Sequence, residues 1–78
     1  MIKALLKSKT GSQTIPNGRE YYLSKMAVGT PAIIIAKDDE AIYSTSDVRN
    51  IIVLGDELTL QTKNTVYYFE GVREEALQ

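Results

Sequence analysis

The stretch from Arg49 to Phe69, RNIIVLGDELTLQTKNTVYYF, constrains this chain most, because two tight turns inside it fix how three strands must pair. Gly55-Asp56 reads as a two-residue hairpin loop with glycine at the first central position, as a type II′ turn prefers. Leu54 then faces Glu57, and the ladder runs back through Val53 opposite Leu58, Ile52 opposite Thr59 and Ile51 opposite Leu60. Lys63-Asn64 reads as the next two-residue loop, since asparagine tolerates a positive φ better than most residues. It sets Thr62 against Thr65, Leu60 against Tyr67 and Leu58 against Phe69. Side chains alternate along a strand, so Ile51, Val53, Leu58, Leu60, Tyr67 and Phe69 share one face. A slip of one residue in either hairpin would break that set. The opposite face holds Asn50, Ile52, Leu54, Thr59, Gln61, Val66 and Tyr68, a mixed set that calls for partial cover.

Seventy-eight residues form a single small β domain, 1–78, with a modest core. Formal net charge is −1, from nine basic and ten acidic residues, which gives no bulk electrostatic case for nucleic acid or membrane. The charge is uneven, however: residues 1–30 carry Lys3, Lys7, Lys9, Arg19 and Lys25 against Glu20. With zero cysteines and zero histidines the chain has no disulfide, thiol nucleophile, thiolate or imidazole metal site, or imidazole acid–base group. The start, MIKALLKSK, is too short and too charged for a signal peptide, and no apolar run reaches the roughly 20 residues a membrane helix needs. The expectation is a cytoplasmic protein with no membrane association.

From the beginning, Ile2, Ala4 and Leu6 alternate with Lys3, Leu5 and Lys7, as in a half-buried strand whose lysines suit a sheet edge. Residues 8–18, SKTGSQTIPNG, are rich in turn formers and read as an irregular, mobile loop. Residues 19–28 fit either a strand or a short helix, with strand preferred. Pro31 suits a strand's first position, and Ala32-Ile33-Ile34-Ile35-Ala36 reads as a strand covered on both faces. The polar turn Lys37-Asp38-Asp39-Glu40 sets Ala36 opposite Ala41, Ile35 opposite Ile42 and Ile34 opposite Tyr43, with a Lys37–Glu40 pair flanking it. Ser44-Thr45-Ser46-Asp47 redirects the chain through its side-chain oxygens. Gly71 ends the last strand, leaving residues 71–78 as a short or frayed C-terminal tail. The whole is an all-β fold: a small barrel or rolled antiparallel sheet of five to seven strands, closing on a three-stranded meander over residues 48–70.

Chemistry-bearing motifs are few. Lys9-Thr10-Gly11 matches a box of penicillin-recognising enzymes, but no Ser-x-x-Lys accompanies it. No phosphate-binding glycine loop is present. Asp38-Asp39-Glu40 lacks the alternating oxygen ligands of a calcium loop and reads as a solvated turn. No metal, cofactor or catalytic group is therefore assigned. Tyr21, Tyr22, Tyr43, Tyr67 and Tyr68 outnumber the single phenylalanine, and a phenol suits sites that are half wet. Neighbours on a strand face opposite ways, so one of Tyr21/Tyr22 and one of Tyr67/Tyr68 lies outside the core.

Gly29-x-Pro31, Thr45-Ser46-x-Val48-x-x-Ile51 and Thr62-x-Asn64-x-x-Tyr67, spread over residues 29–69, resemble a loose pattern in short β-rich proteins of Gram-positive bacteria, their prophages and plasmids. Thr65 stands where that pattern favours serine. The resemblance implies an accessory or mobile-element protein and transfers no functional residue.

Two functions follow as expectations. The first is a non-enzymatic protein–protein interaction module that self-associates, since the apolar surplus on Ile52, Leu54, Val66 and Tyr68 favours a homo-oligomer through that second face or an open strand edge. The alternative is a weak single-strand nucleic-acid binder using Lys3, Lys7, Lys9, Arg19 and Lys25 with Tyr21 or Tyr22. An enzyme ranks last, because so short a chain can scarcely build an enclosed cleft.

Overall fold

A computed structural model of the chain describes residues 1–11 and 14–75. Among the described residues six strands follow one another without a helix: β1 (Ile2–Gly11), β2 (Glu20–Lys25), β3 (Pro31–Ala36), β4 (Ile42–Leu54), β5 (Glu57–Thr62) and β6 (Thr65–Glu74). Each pairs antiparallel with the next, and β6 returns to pair with β1, so the sheet closes into a ring. The meander has the register its turns dictate: Val53 opposite Leu58, Leu60 opposite Tyr67 and Leu58 opposite Phe69. Gly55 takes φ 61°, the positive φ that the first turn requires and that glycine adopts without penalty, whereas Asn64 makes the second turn without a positive φ.

Closure overturns three local readings. β1 is no edge strand, since it has β2 on one side and β6 on the other. It also runs on through residues 8–11, which the turn-forming composition assigned to a loop. β6 likewise passes Gly71 and continues to Glu74, because β1 offers it a second ladder that ends at Ile2 opposite Glu74. Residues 76–78 of the expected tail lie outside the described residues. Where β1 leaves the ring, residues 14–18 are irregular but tied down: the Tyr21 hydroxyl donates to the Pro16 carbonyl at 2.6 Å, and Ile15 is buried in the core. Residues 20–25 are strand, with Tyr21 inward and Tyr22 outward. The Ile35–Ile42 and Ile34–Tyr43 pairs form as the β3–β4 turn predicts. Lys37, however, reaches Glu20 at 3.6 Å, and Glu40 is held at φ 60° in the turn.

The interior is filled from every strand, with Leu6, Tyr21, Ile34, Val48, Leu60 and Tyr67 all fully enclosed. Tyr21 meets Tyr43 edge-on at 6.1 Å, and Tyr67 stacks on Phe69 at 6.5 Å. Residues 42–54 form one 13-residue strand, not two, because bulges bend it without breaking it. β3 pairs with it only as far as Asp47, and beyond Val48 its sole strand neighbour among the described residues is β5. The outer side of β4 therefore stands clear from there on, while the hairpin turn stays tied to β6, the Asp56 carbonyl accepting from the Val72 amide at 2.9 Å. Val53, in phase with the core, is 56% exposed for that reason.

Candidate protein-interaction surface

The ring buries one face of each strand and leaves the other outside, so the second face of the meander is not covered by curling. Ile52, Thr59, Tyr68 and Ser8 form one row across β4, β5, β6 and β1; Asn50, Gln61, Val66 and Thr10 form the next. These two rows carry no formal charge in a chain that is 24% charged. Val66 is half-buried, Ile52 and Tyr68 are each 39% exposed, and Leu54 is 73% exposed at the hairpin end. Ile52 and Leu54 on the outer side of β4 and Val53 on its other side thus stay in water on the hairpin arm, with Tyr68 beyond Thr59 on β6. An open hollow of about 230 Å³ lies toward the turn end of this face, lined in part by Lys7, Glu57, Thr59 and Tyr68.

The arm is also a strand edge. Val48 turns its amide and carbonyl away from β5, to the Thr30 carbonyl and the Gly29 amide. After the bulge at residue 49, the hairpin register turns Ile51 and Val53 the same way. The Ile51 amide is met there by the side-chain oxygen of Asn50 at 3.0 Å, not by a strand. The closed ring thus keeps a short open edge on β4, from Asn50 to Leu54. Charge is arranged along it: Arg49 is exposed at its base, and Asp56 and Glu57 are exposed at its tip.

The residues proposed for nucleic-acid contact are scattered. Tyr21 is wholly interior, and Lys3 is only 2% exposed, its ammonium 2.8 Å from Glu75 and 3.6 Å from Glu20. Arg19 is spent on Asp39 at 3.1 Å and Asp38 at 3.9 Å. Lys9 donates to Asn17 at 3.0 Å. Lys7 and Lys25 are exposed, on β1 and at the end of β2, and Tyr22 is half-buried. Because Tyr21 faces the core and the Lys3 ammonium is covered on the outer face by Glu20 and Glu75, these residues form no common platform. The ion pairs have electrostatic consequences: the Lys3 hydrogen bond holds the Glu75 carboxyl below its ordinary range, and the same bond raises the Lys3 ammonium. The Ala41 amide and then Arg19 lower Asp39.

One apolar surface escaped the sequence reading. Tyr22, Ile35 and Ile42 form an outward row across β2, β3 and β4, beside an open groove of about 480 Å³ that also touches Met1 and Lys37. Half of it was legible, since the polar turn sets Ile35 against Ile42. Tyr22 joins only through the β2–β3 register, which a bulge between Leu23 and Lys25 shifts without a local signature.

The fold and this surface define a small closed antiparallel β domain that presents an apolar hairpin arm. No protein-family model, curated protein or solved structure matches the chain.

Proposed function

We propose that this protein is a non-enzymatic protein–protein interaction module that binds through the outer face of β4–β6 and the arm that ends it. The observation behind the reading is the exposure of three successive apolar residues, Ile52, Val53 and Leu54, at the end of β4, with Tyr68 exposed on β6 in the same outer row as Ile52. Exposed apolar groups scattered singly are ordinary on proteins, but a continuous apolar surface framed by polar residues is a mark of association sites. The uncharged rows beside it fit the charge-poor centre of protein interfaces, where tyrosine is enriched. The bound partner would desolvate the patch at roughly 25 cal/mol per Å² of apolar area.

Photo-crosslinking in cells tests this. A benzoylphenylalanine placed at position 54, at the exposed end of β4, should give covalent protein adducts, and the same group at the exposed position 24, on β2, should give far fewer. Equal labelling from both positions, or none from 54, would refute the reading. Adduct mass then separates a second copy of the chain from a different protein.

A further inference from the structure

We infer that the partner of the arm is a second copy of this chain, joined edge to edge through the open side of β4. The inference rests on the interaction-module reading above and adds the partner and its geometry. Backbone amides and carbonyls along an unpaired strand edge are a template for another strand. Here the edge is short, apolar on both faces at Val53 and Leu54, and free of any described strand beyond Asp47.

The charge order selects the occupant. Read outward, the arm begins at Arg49 and ends at Asp56, with no formal charge between them. Two copies of such a strand are self-complementary only when antiparallel, which is the arrangement a two-fold axis imposes. With the axis at Ile52, Ile51 of each copy lies opposite Val53 of the other. Those residues are the two that turn their backbone groups to the open side, so each opposed pair exchanges two hydrogen bonds. Arg49 of each copy then arrives beside the Gly55-Asp56 turn of the other. In the same movement the Ile51 amide trades the Asn50 side chain for the carbonyl of Val53 of the second copy, so Asn50 is the edge's cap in the monomer. The contact is small, a strand of about five residues per copy, and belongs with reversible interfaces, with association in the micromolar range.

The test follows association and amide protection together. Sedimentation of the full chain from about 5 µM to 1 mM should show reversible dimers, and over the same range the Val53 amide should pass from rapid exchange to protection. Val53→Lys, which leaves the β5 side of the ladder intact, should keep the monomer folded and lower dimer affinity at least about tenfold, each 1.4 kcal/mol being one factor of ten. Arg49→Glu and Asp56→Lys should each weaken dimers, while an equimolar mixture of the two variants should recover them, because every contact between unlike copies is again of opposite sign. A monomer across the whole range overturns the inference, and so does a dimer in which the Val53 amide stays unprotected. A monomer that still yields heavier adducts from position 54 removes the second copy and leaves the module reading standing. Absence of adducts from position 54 removes that reading itself.

Discussion

Gly11 shows how a single backbone position closes the barrel. Its φ is +117°, and a Cβ built there would meet the Asn64 carbonyl and lie 2.8 Å from Thr65 Oγ1 and 2.9 Å from Thr65 Cα. Gly11→Ala combines conformational strain with a clash against backbone, and should cost about 2–4 kcal/mol in chemical denaturation. A loss below about 0.5 kcal/mol would show that β1 and the β5–β6 turn are not so closely packed. Lys3 and Glu75 carry the pH dependence. Glu75 and Asp39 titrate lower in the folded chain than in the unfolded one, so the stability they contribute is present above their ordinary range and lost as pH falls through their folded values. Lys3 is raised, so its contribution holds below its ordinary value and fades only as pH climbs through the raised one. Thermal melts should therefore decline on the acid side of the carboxylate range, and Glu75→Gln should flatten that decline. Neither residue's role was legible locally: Lys3 sits in an alternating pattern that assigns it to solvent, and its cover comes from Glu20 and Glu75, far along the chain.

At the scale of elements, the motifs that carried the family resemblance meet at one end of the barrel. The Thr45 hydroxyl accepts from the Ala32 amide and donates to the Ser46 carbonyl. The Ser46 hydroxyl accepts from the Asn64 amide and donates to Thr62, whose own hydroxyl donates to the Thr65 carbonyl. This chain of hydroxyls ties the bend in β4 to the β5–β6 turn. Thr62→Val keeps the shape but breaks it, and should cost about 1–3 kcal/mol by urea titration, since buried polar groups lose their partners. The residues connecting β1 to β2 are a second case. Composition assigned them to a mobile loop, yet Ile15 is 1% exposed and joins the core. Ile15→Ala should cost about 2–5 kcal/mol, where a loose loop would lose almost nothing. Sequence revealed the meander because two-residue turns and period-two alternation act between neighbours. It did not reveal that Val53 would leave the core, because that depends on where β3 stops pairing with β4.

The whole molecule is a ring whose first and last strands are neighbours, with the Glu75 amide donating to the Met1 carbonyl at 2.9 Å. Joining the termini by a short flexible linker and reopening the chain within the exposed residues 37–40 should preserve the barrel, with near-native near-UV circular dichroism and a Tm within about 5 °C of the parent. Reopening at Lys63-Asn64 should be far more damaging, because that cut severs the hydroxyl chain and the closest packed turn. By itself the sequence determined the all-β class, the two turns, the pairing of β4, β5 and β6, and which of their side chains face outward, including Ile52, Leu54, Val66 and Tyr68. Only the tertiary structure decided that β6 closes on β1, that Lys3, Arg19 and Tyr21 are used internally, and that the end of β4 stands clear as an open edge. Turn geometry and alternation are set by residues in contact along the chain. Ring closure joins strands more than fifty residues apart through bulged registers, and it alone determines which surfaces remain for a partner.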